Sequence, residues 1–508
     1  MSPLCKCYPI FYCLLIPYVL LFSESTKKNV VLLANSNIPE SISLAQYYAE
    51  ARAIDRENII ALPLSYEEEI SWDEYEMKIA NPLKDELLKR GLLREESHLS
   101  ANLKSSQNRF KHTFDYLLVL KGVSLKCSDS SELHKKSRQR GIMPKTGFSH
   151  DYASIDSELS LLLVQKGSRS GWVENPFFNR KKVPSVFNET FIKVSRIDGP
   201  TYDDCKRMIR NTLKAEIHGL IGRAYIDRGE TTVKGERWLK KTEEILRSVG
   251  YDLGVDSKEG LMPLNARFDR PAFYFGWYGY HALGPWQKDS VLFPPGSIFF
   301  HIHSFSGRTL RSGNQNWVGP MVQAGVTATI GNVNEPFLDL THHPHLMMQS
   351  LVNGSNWGDA VYYSLPSLSW QSFSIGDPLY TPFKLSIEEQ MMDDWSDWYK
   401  GQYIAVRYIN QFVVRGLIHR AIDWGMQHLM NSPGRVLSLR LAELCKEVED
   451  YQKLEVVVRS FINTSENEQI NDKLLIMSAI EVLQGLEEFE DLNLLKVQLL
   501  DRFERGLQ

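Results

Sequence analysis

Short apolar runs alternate with stretches of helical periodicity along most of this chain, and that alternation restricts the fold more than any other feature. Asn29 to Ala34, Asn58 to Leu62 and Phe114 to Leu120 read as buried strands. Between them, Ser41 to Arg52 and Trp72 to Leu88 repeat apolar residues at helical spacing. Pro82 predicts a break or kink in the second, because proline lacks the donor N–H and its ring collides with the preceding turn. The rhythm resumes with a strand at Phe191 to Val194, a helix at Tyr202 to Ile217, a strand at Gly222 to Ile226 and a helix at Glu236 to Val249. Two strands follow, Ala272 to Trp277 and Ile298 to Ile302. After Trp317 come a helix, the strand Val326 to Ile330 and helices through Trp357 to Leu365. Strands that alternate with helices form a mostly parallel sheet covered on both faces. The predicted fold class is therefore α/β, with a mostly parallel sheet flanked by helices over residues 29–385.

Two regions depart from this pattern. Residues 126–182 are rich in Ser, Lys, Arg and Gly, with one helical run from Ile155 to Val164, and are expected to form an insertion that serves as a lid or a partner surface. From Ile387 to residue 508 the chain reads as helical. Leu441, Leu444, Val448, Tyr451, Leu454 and Val457 recur at an offset of 38 residues as Ala479, Val482, Leu486, Phe489, Leu492 and Leu495. Two such units predict either a TPR-like tail, offering a surface to a protein partner, or a small helical cap. Repeat arrays need about three units, so the cap is favoured.

The N-terminus carries one charge, Lys6, before an apolar run from Tyr8 to Phe22 that Ser23, Glu24 and Ser25 end. That order is the pattern of a secretory signal peptide over residues 1–25, although Pro9 and Pro17 interrupt it, and it predicts export to the periplasm or the extracellular space. Cys5, Cys7 and Cys13 lie in this leader. Only Cys127, Cys205 and Cys445 remain beyond it, which excludes a disulfide scaffold and a Cys-rich zinc site. A formal net charge of −4 on 508 residues gives no electrostatic footprint for nucleic acid.

The chemistry concentrates where two predicted strands end. Ala272 to Trp277 runs into Gly279, Tyr280 and His281, and Ile298 to Ile302 runs into His303, Ser304, Phe305, Ser306 and Gly307. Open α/β sheets bind ligands at the carboxyl ends of their strands. A serine hydroxyl becomes a nucleophile only beside a base, and His281 is the natural one for Ser304, with backbone N–H groups around Phe305 to Gly307 to hold an oxyanion. The competing reading is that both residues cap strand ends. His301 and His303 share one face of their strand and, with Glu335 nearby, raise a metal reading. The spacing of His342, His343 and His345 matches no ligand motif, so neither a metal nor another cofactor is expected. Glu335 and Asp339 have the spacing of ordinary surface carboxylates. Tyr274, Trp277, Tyr278, Tyr280, Trp286 and Trp317 would suit a peptide- or glycan-binding groove, or equally a core with polar tips.

The turns Gly279-Tyr280-His281 and Ser304-Phe305-Ser306-Gly307, with Gly331 and the run Ile375-Gly376-Asp377-Pro378-Leu379, resemble the caspase-like cysteine peptidases of the gingipain type. A closer resemblance over Asn29 to Phe383 is to an uncharacterised bacterial family of exported proteins. It is carried by Ala153 to Leu159, Arg196 to Pro200, Gly222 to Tyr225, His301 to Ser306, Asn316 to Pro320, Gly331 to Pro336 and Ser369-Trp370. The resemblance implies a caspase-like sheet with His281 at the catalytic histidine position and Ser304 where the peptidases carry cysteine. Three classes of function follow. One is a serine-type hydrolase of peptide or other acyl bonds that uses His281 and Ser304. The second is an inactive peptidase homologue that binds a peptide or cell-envelope polymer. The third is a metal-dependent enzyme built on His301 and His303. Tyr280, His301, His303, Ser306, Gly307, Trp317 and Glu335 are the candidates for binding or support.

Overall fold

The computed structural model describes residues 29–95, 110–128, 152–164, 171–229, 233–392, 398–464 and 472–505. The predicted signal peptide lies outside the described residues.

Ten strands build one sheet: β1 (Val30–Asn35), β2 (Ile59–Leu62), β3 (Tyr116–Leu120), β4 (Lys193–Ile197), β5 (Arg223–Asp227), β6 (Leu253–Asp256), β7 (Pro271–Trp277), β8 (Ile298–Ile302), β9 (Ala328–Asn332) and β10 (Ser372–Ile375). They lie in the order β6-β5-β7-β8-β9-β10-β4-β3-β1-β2. Every neighbouring pair is parallel except β9 with β10. The sheet is thus two parallel blocks, β2-β1-β3-β4-β10 and β6-β5-β7-β8-β9, joined edge to edge in opposite directions. Numbered within itself, each block has the strand order 2-1-3-4-5.

Both faces are covered, as continuous apolar strands require. Val30, Leu32 and Ala34 point into one cluster, with the helices Pro39–Ala51 and Tyr202–His218, while Val31 and Leu33 point into another on the opposite face. The second helix starts at a capping box, in which the Thr201 hydroxyl accepts from the Asp204 N–H and the Asp204 carboxylate accepts from the Thr201 N–H. Asp377 accepts from the Leu379 N–H at 2.9 Å and also from Tyr48 and Arg52, at 2.7 and 2.6 Å, which ties the first helix to the end of β10.

Pro82 acts one turn earlier than a simple kink. Trp72–Glu74 and Asn81–Lys89 are α-helical, and Tyr75–Ala80 between them widens into a π-helix. The wider turn gives the pyrrolidine ring room against the preceding carbonyls.

Two strands were not foreseen. β6 is a half-exposed edge strand, and β10 reads Ser-Phe-Ser-Ile, whose serines are hydrogen bonded inside the core rather than facing water. β4 and β9 also begin two residues later than the apolar pattern indicates.

The expectation of a lid over residues 126–182 is corrected where the chain is described. Lys126–Cys127 pairs with Ala153–Ser154, and the helix Ile155–Leu159 is wholly buried. Arg196 on β4, 0 % exposed, donates to Asp156 at 2.6 Å, to Asp198 at 3.3 Å and to the carbonyls of Val123 and Ser124. The stretch Ala153 to Leu159 is interior structure, whereas Asn179 to Lys182 are exposed.

The C-terminal region forms three antiparallel helix pairs: Trp398–Val414 with Ile418–Asn431, Arg435–Glu447 with Tyr451–Asn463, and Asp472–Val482 with Glu490–Arg505. First helices stack on first helices along the row, and the last two second helices also meet. The offset of 38 residues matches the second pair to the third. The first pair escaped that pattern because its opening helix is buried against the sheet domain: Tyr403 donates to Asp269, and Arg407 to the carbonyl of Val249. No helix among the described residues is long and apolar enough to cross a membrane.

Candidate functional site

The parallel ladder between β8 and β9 ends at Phe299–Thr329, so the strands part toward their carboxyl ends. Beyond that point Asn332 replaces backbone pairing. Its Nδ2 donates to the carbonyl of His303 at 3.1 Å, and its own N–H donates to the Ser306 hydroxyl at 3.1 Å. The loops after β7, β8 and β9 therefore meet at one end of the second block. At the corresponding strand ends of the first block stand Lys121 and Asp198, which form an ion pair with each other.

An open cleft of about 780 Å³ lies here. Tyr280, His281, His303 and Phe305 line one side, and Glu67, Glu69, Lys126 and Arg308 are among the residues that complete it. Its far loop is pinned to the first block. Glu68 accepts from the Thr309 hydroxyl at 2.6 Å and from the Leu310 N–H at 2.8 Å, while Lys126 donates to the carbonyl of Arg308 at 3.0 Å. Three residues around the cleft hold left-handed backbone conformations: Tyr278 (φ 43°), Phe305 (φ 59°) and Asn316 (φ 57°). Each costs on the order of 1–3 kcal/mol for a residue with a side chain, and such strain gathers where side chains must be aimed.

The predicted pair of His281 and Ser304 is not hydrogen bonded. The Ser304 hydroxyl instead donates to Glu335 Oε2 at 2.5 Å, and His281 is exposed. Glu335 is itself held by the Phe337 N–H, which donates to Oε1 at 3.0 Å. Two of the expected oxyanion donors are also committed elsewhere. The Phe305 N–H donates to the carbonyl of Asn334 and the Gly307 N–H to that of Asn332, each at 3.0 Å.

His303 sits beside Ser304, with its ring 5.3 Å from that of Tyr278 and 6.3 Å from that of Tyr280. Burial lowers its pKa, while the Ser304 backbone and Glu335 oppose that shift. His301 lies deeper, stacked on Trp317 at 3.4 Å between ring centres, and its Nδ1 contacts the Tyr274 hydroxyl at 3.3 Å. Tyr274 donates in turn to Asp227, whose carboxyl is pushed up to about 6 by burial. Gly276, paired with His301 across the ladder, leaves the space for this contact, since a Cβ there would lie 2.3 Å from the Tyr274 hydroxyl.

The remaining candidates divide by burial. Ser306, Gly307 and Trp317 are buried and structural. The carbonyl of Ser306 accepts from Val318 at the start of the next helix, a Cβ on Gly307 would lie 2.3 Å from the Phe373 ring, and the Trp317 Nε1–H donates to the carbonyl of Gly279 at 2.7 Å. Of the aromatic set, Tyr274, Trp277, Trp286 and Trp317 belong to the core, whereas Tyr278 and Tyr280 are 56 % and 76 % exposed.

No group of three or more His, Cys, Asp or Glu that could hold a metal ion occurs among the described residues. Cys127, Cys205 and Cys445 are buried, and burial pushes the thiol of Cys205 well up and that of Cys445 up to about 12, so neither supplies a thiolate at neutral pH. Sequence reading missed Glu67, Glu69, Lys126, Arg308 and Asn314 to Asn316. The amide run Asn314-Gln315-Asn316 directly before Trp317 was the one available signal.

Comparison with protein-family models, with curated proteins and with solved structures gave no match for this chain.

Proposed function

We propose that this protein is an exported, non-catalytic relative of the caspase-like peptidases whose cleft holds an extended polymer. Two features support the caspase-like relationship. The sheet is mostly parallel, and His281 and Ser304 follow the third and fourth strands of one block.

The observation that carries the non-catalytic reading is the partner of Ser304. Its hydroxyl is bound to the Glu335 carboxylate and to no imidazole, so the base that turns a serine into a nucleophile is not in place. The nearby N–H groups of Phe305 and Gly307 close the loop instead of facing a substrate oxygen. The cleft is open and lined by polar side chains, which suits holding a ligand better than excluding water from a reaction.

Hydrolysis of p-nitrophenyl butyrate tests this reading. The wild-type protein and the Ser304→Ala variant are expected to give the same rate, equal to that of buffer. A wild-type rate well above buffer that falls about a hundredfold in Ser304→Ala would establish the serine-hydrolase reading in its place.

A further inference from the structure

We infer that the polymer held by this cleft is a neutral carbohydrate chain; the inference rests on the binding reading above and narrows it to a ligand class.

The first observation is the pair of exposed tyrosines. Tyr278 and Tyr280 project from the loop after β7 with their rings 5.3 and 6.3 Å from that of His303, and Tyr280 and His303 line the cleft. Core packing does not hold them there. Tyr278 keeps a left-handed backbone, and the loop is fastened beneath by the Trp317 Nε1–H bond to Gly279. A phenol ring has an electron-rich face, and a pyranose ring offers a face of polarised C–H groups that stacks on it. The hydroxyls around a sugar need side chains that both donate and accept. Asn314, Gln315 and Asn316 provide three amides on the same cleft, the last again in a left-handed conformation.

The second observation is charge. Glu67, Glu68 and Glu69 line the cleft together with Lys126, Arg308 and Arg311, three carboxylates and three cations, with Lys126 ion-paired to Glu69 at 3.3 Å. Of these, Glu68, Lys126 and Arg311 already bond the two blocks together. A lining of balanced sign gives no long-range attraction to a polyanion or a polycation.

The third observation disfavours a peptide. Peptides are held by adding a strand to a free sheet edge or by filling apolar pockets. β7, β8 and β9 all lie inside the sheet and none is an edge strand, although β8 and β9 part beyond Phe299–Thr329. Phe305 and Tyr280 contribute the only large apolar surfaces among the lining residues.

Electrophoresis of the full chain through native gels containing hydroxyethylcellulose, laminarin or glycol chitin tests the inference, with sodium alginate and fluorescein-labelled casein as charged and peptide probes. At least one neutral polysaccharide is expected to retard the protein. Tyr280→Ala is expected to weaken that binding about thirtyfold, and Tyr280→Trp to retain it. Because the Tyr280 side chain is largely exposed, the alanine variant keeps the fold, which an unchanged melting temperature verifies. Failure of all three neutral polymers, retardation by alginate alone, or binding indifferent to Tyr280→Ala would overturn the inference. Casein binding that is lost in Tyr280→Ala, with no carbohydrate bound, would overturn the carbohydrate class but leave the binding cleft standing. Serine-dependent ester hydrolysis would remove the binding reading itself.

Discussion

Asp156→Ala is expected to destabilise the protein by about 3–5 kcal/mol, measured as a lower urea midpoint at an unchanged slope. Arg196 is completely buried, and Asp156 is its closest charged partner, with Asp198 further off at 3.3 Å. Removing Asp156 strands most of a guanidinium charge in the core, and that penalty exceeds the loss of one hydrogen bond. The double variant Asp156→Ala with Arg196→Met removes both charges and is expected to recover much of the loss. A loss below about 1 kcal/mol for Asp156→Ala alone would mean that the carbonyls of Val123 and Ser124 and the carboxylate of Asp198 suffice for the arginine.

Acidification from pH 7 to pH 5 is expected to cost several kcal/mol before the ordinary carboxylates titrate. His342 is 0 % exposed, and burial, with His343 adding to it, lowers its pKa to about 3. Burial lowers His343 and His345 to about 4 each. In the unfolded chain these groups titrate near 6.5. Above that pH both states are neutral and the histidines contribute no pH dependence. As pH falls below about 6.5, the unfolded state takes up protons that the folded state refuses, so stability declines until the folded pKa values are reached. For His342 alone the loss is about 2 kcal/mol at pH 5. Both of its ring nitrogens lack a hydrogen-bond partner among the described residues, so His342→Leu is expected to flatten the decline without a large loss at pH 7. Urea unfolding at pH 7, 6 and 5 checks this, and equal pH slopes for wild type and variant would contradict it.

Much of the sheet was legible because the strands that build its middle are continuous apolar runs. β1, β3, β7 and β8 needed no knowledge of their neighbours. β10 was not legible, since Ser372 and Ser374 read as loop residues until the core partners that satisfy them, Asn332 and Ser195, are known. The run Ala153 to Leu159 and the run Arg196 to Pro200 stood out in the sequence for their composition and resemblance. Their roles as the two halves of a buried ion pair exist only in three dimensions.

The same division applies to the site. Strand ends located His281 and Ser304, because a sheet presents its chemistry there. The partner of Ser304 was a matter of which loops meet, and Glu335 sits 31 residues further along the chain. Spacing alone does not distinguish a surface carboxylate from one that takes a serine proton bond. Aromatic content had the same ambiguity: six rings near the strand ends resolve into four in the core and two exposed, Tyr278 and Tyr280, of which Tyr280 lines the cleft.

Labelling the folded protein with a fluorophosphonate, followed by mapping of adducts by mass spectrometry, tests most directly whether the cleft holds its ligand or cleaves it. With Ser304 bound to Glu335 and no imidazole hydrogen bonded to its hydroxyl, no adduct on Ser304 is the expected result. A single adduct on Ser304 that disappears in His281→Ala or His303→Ala would demonstrate an activated nucleophile and contradict the binding reading.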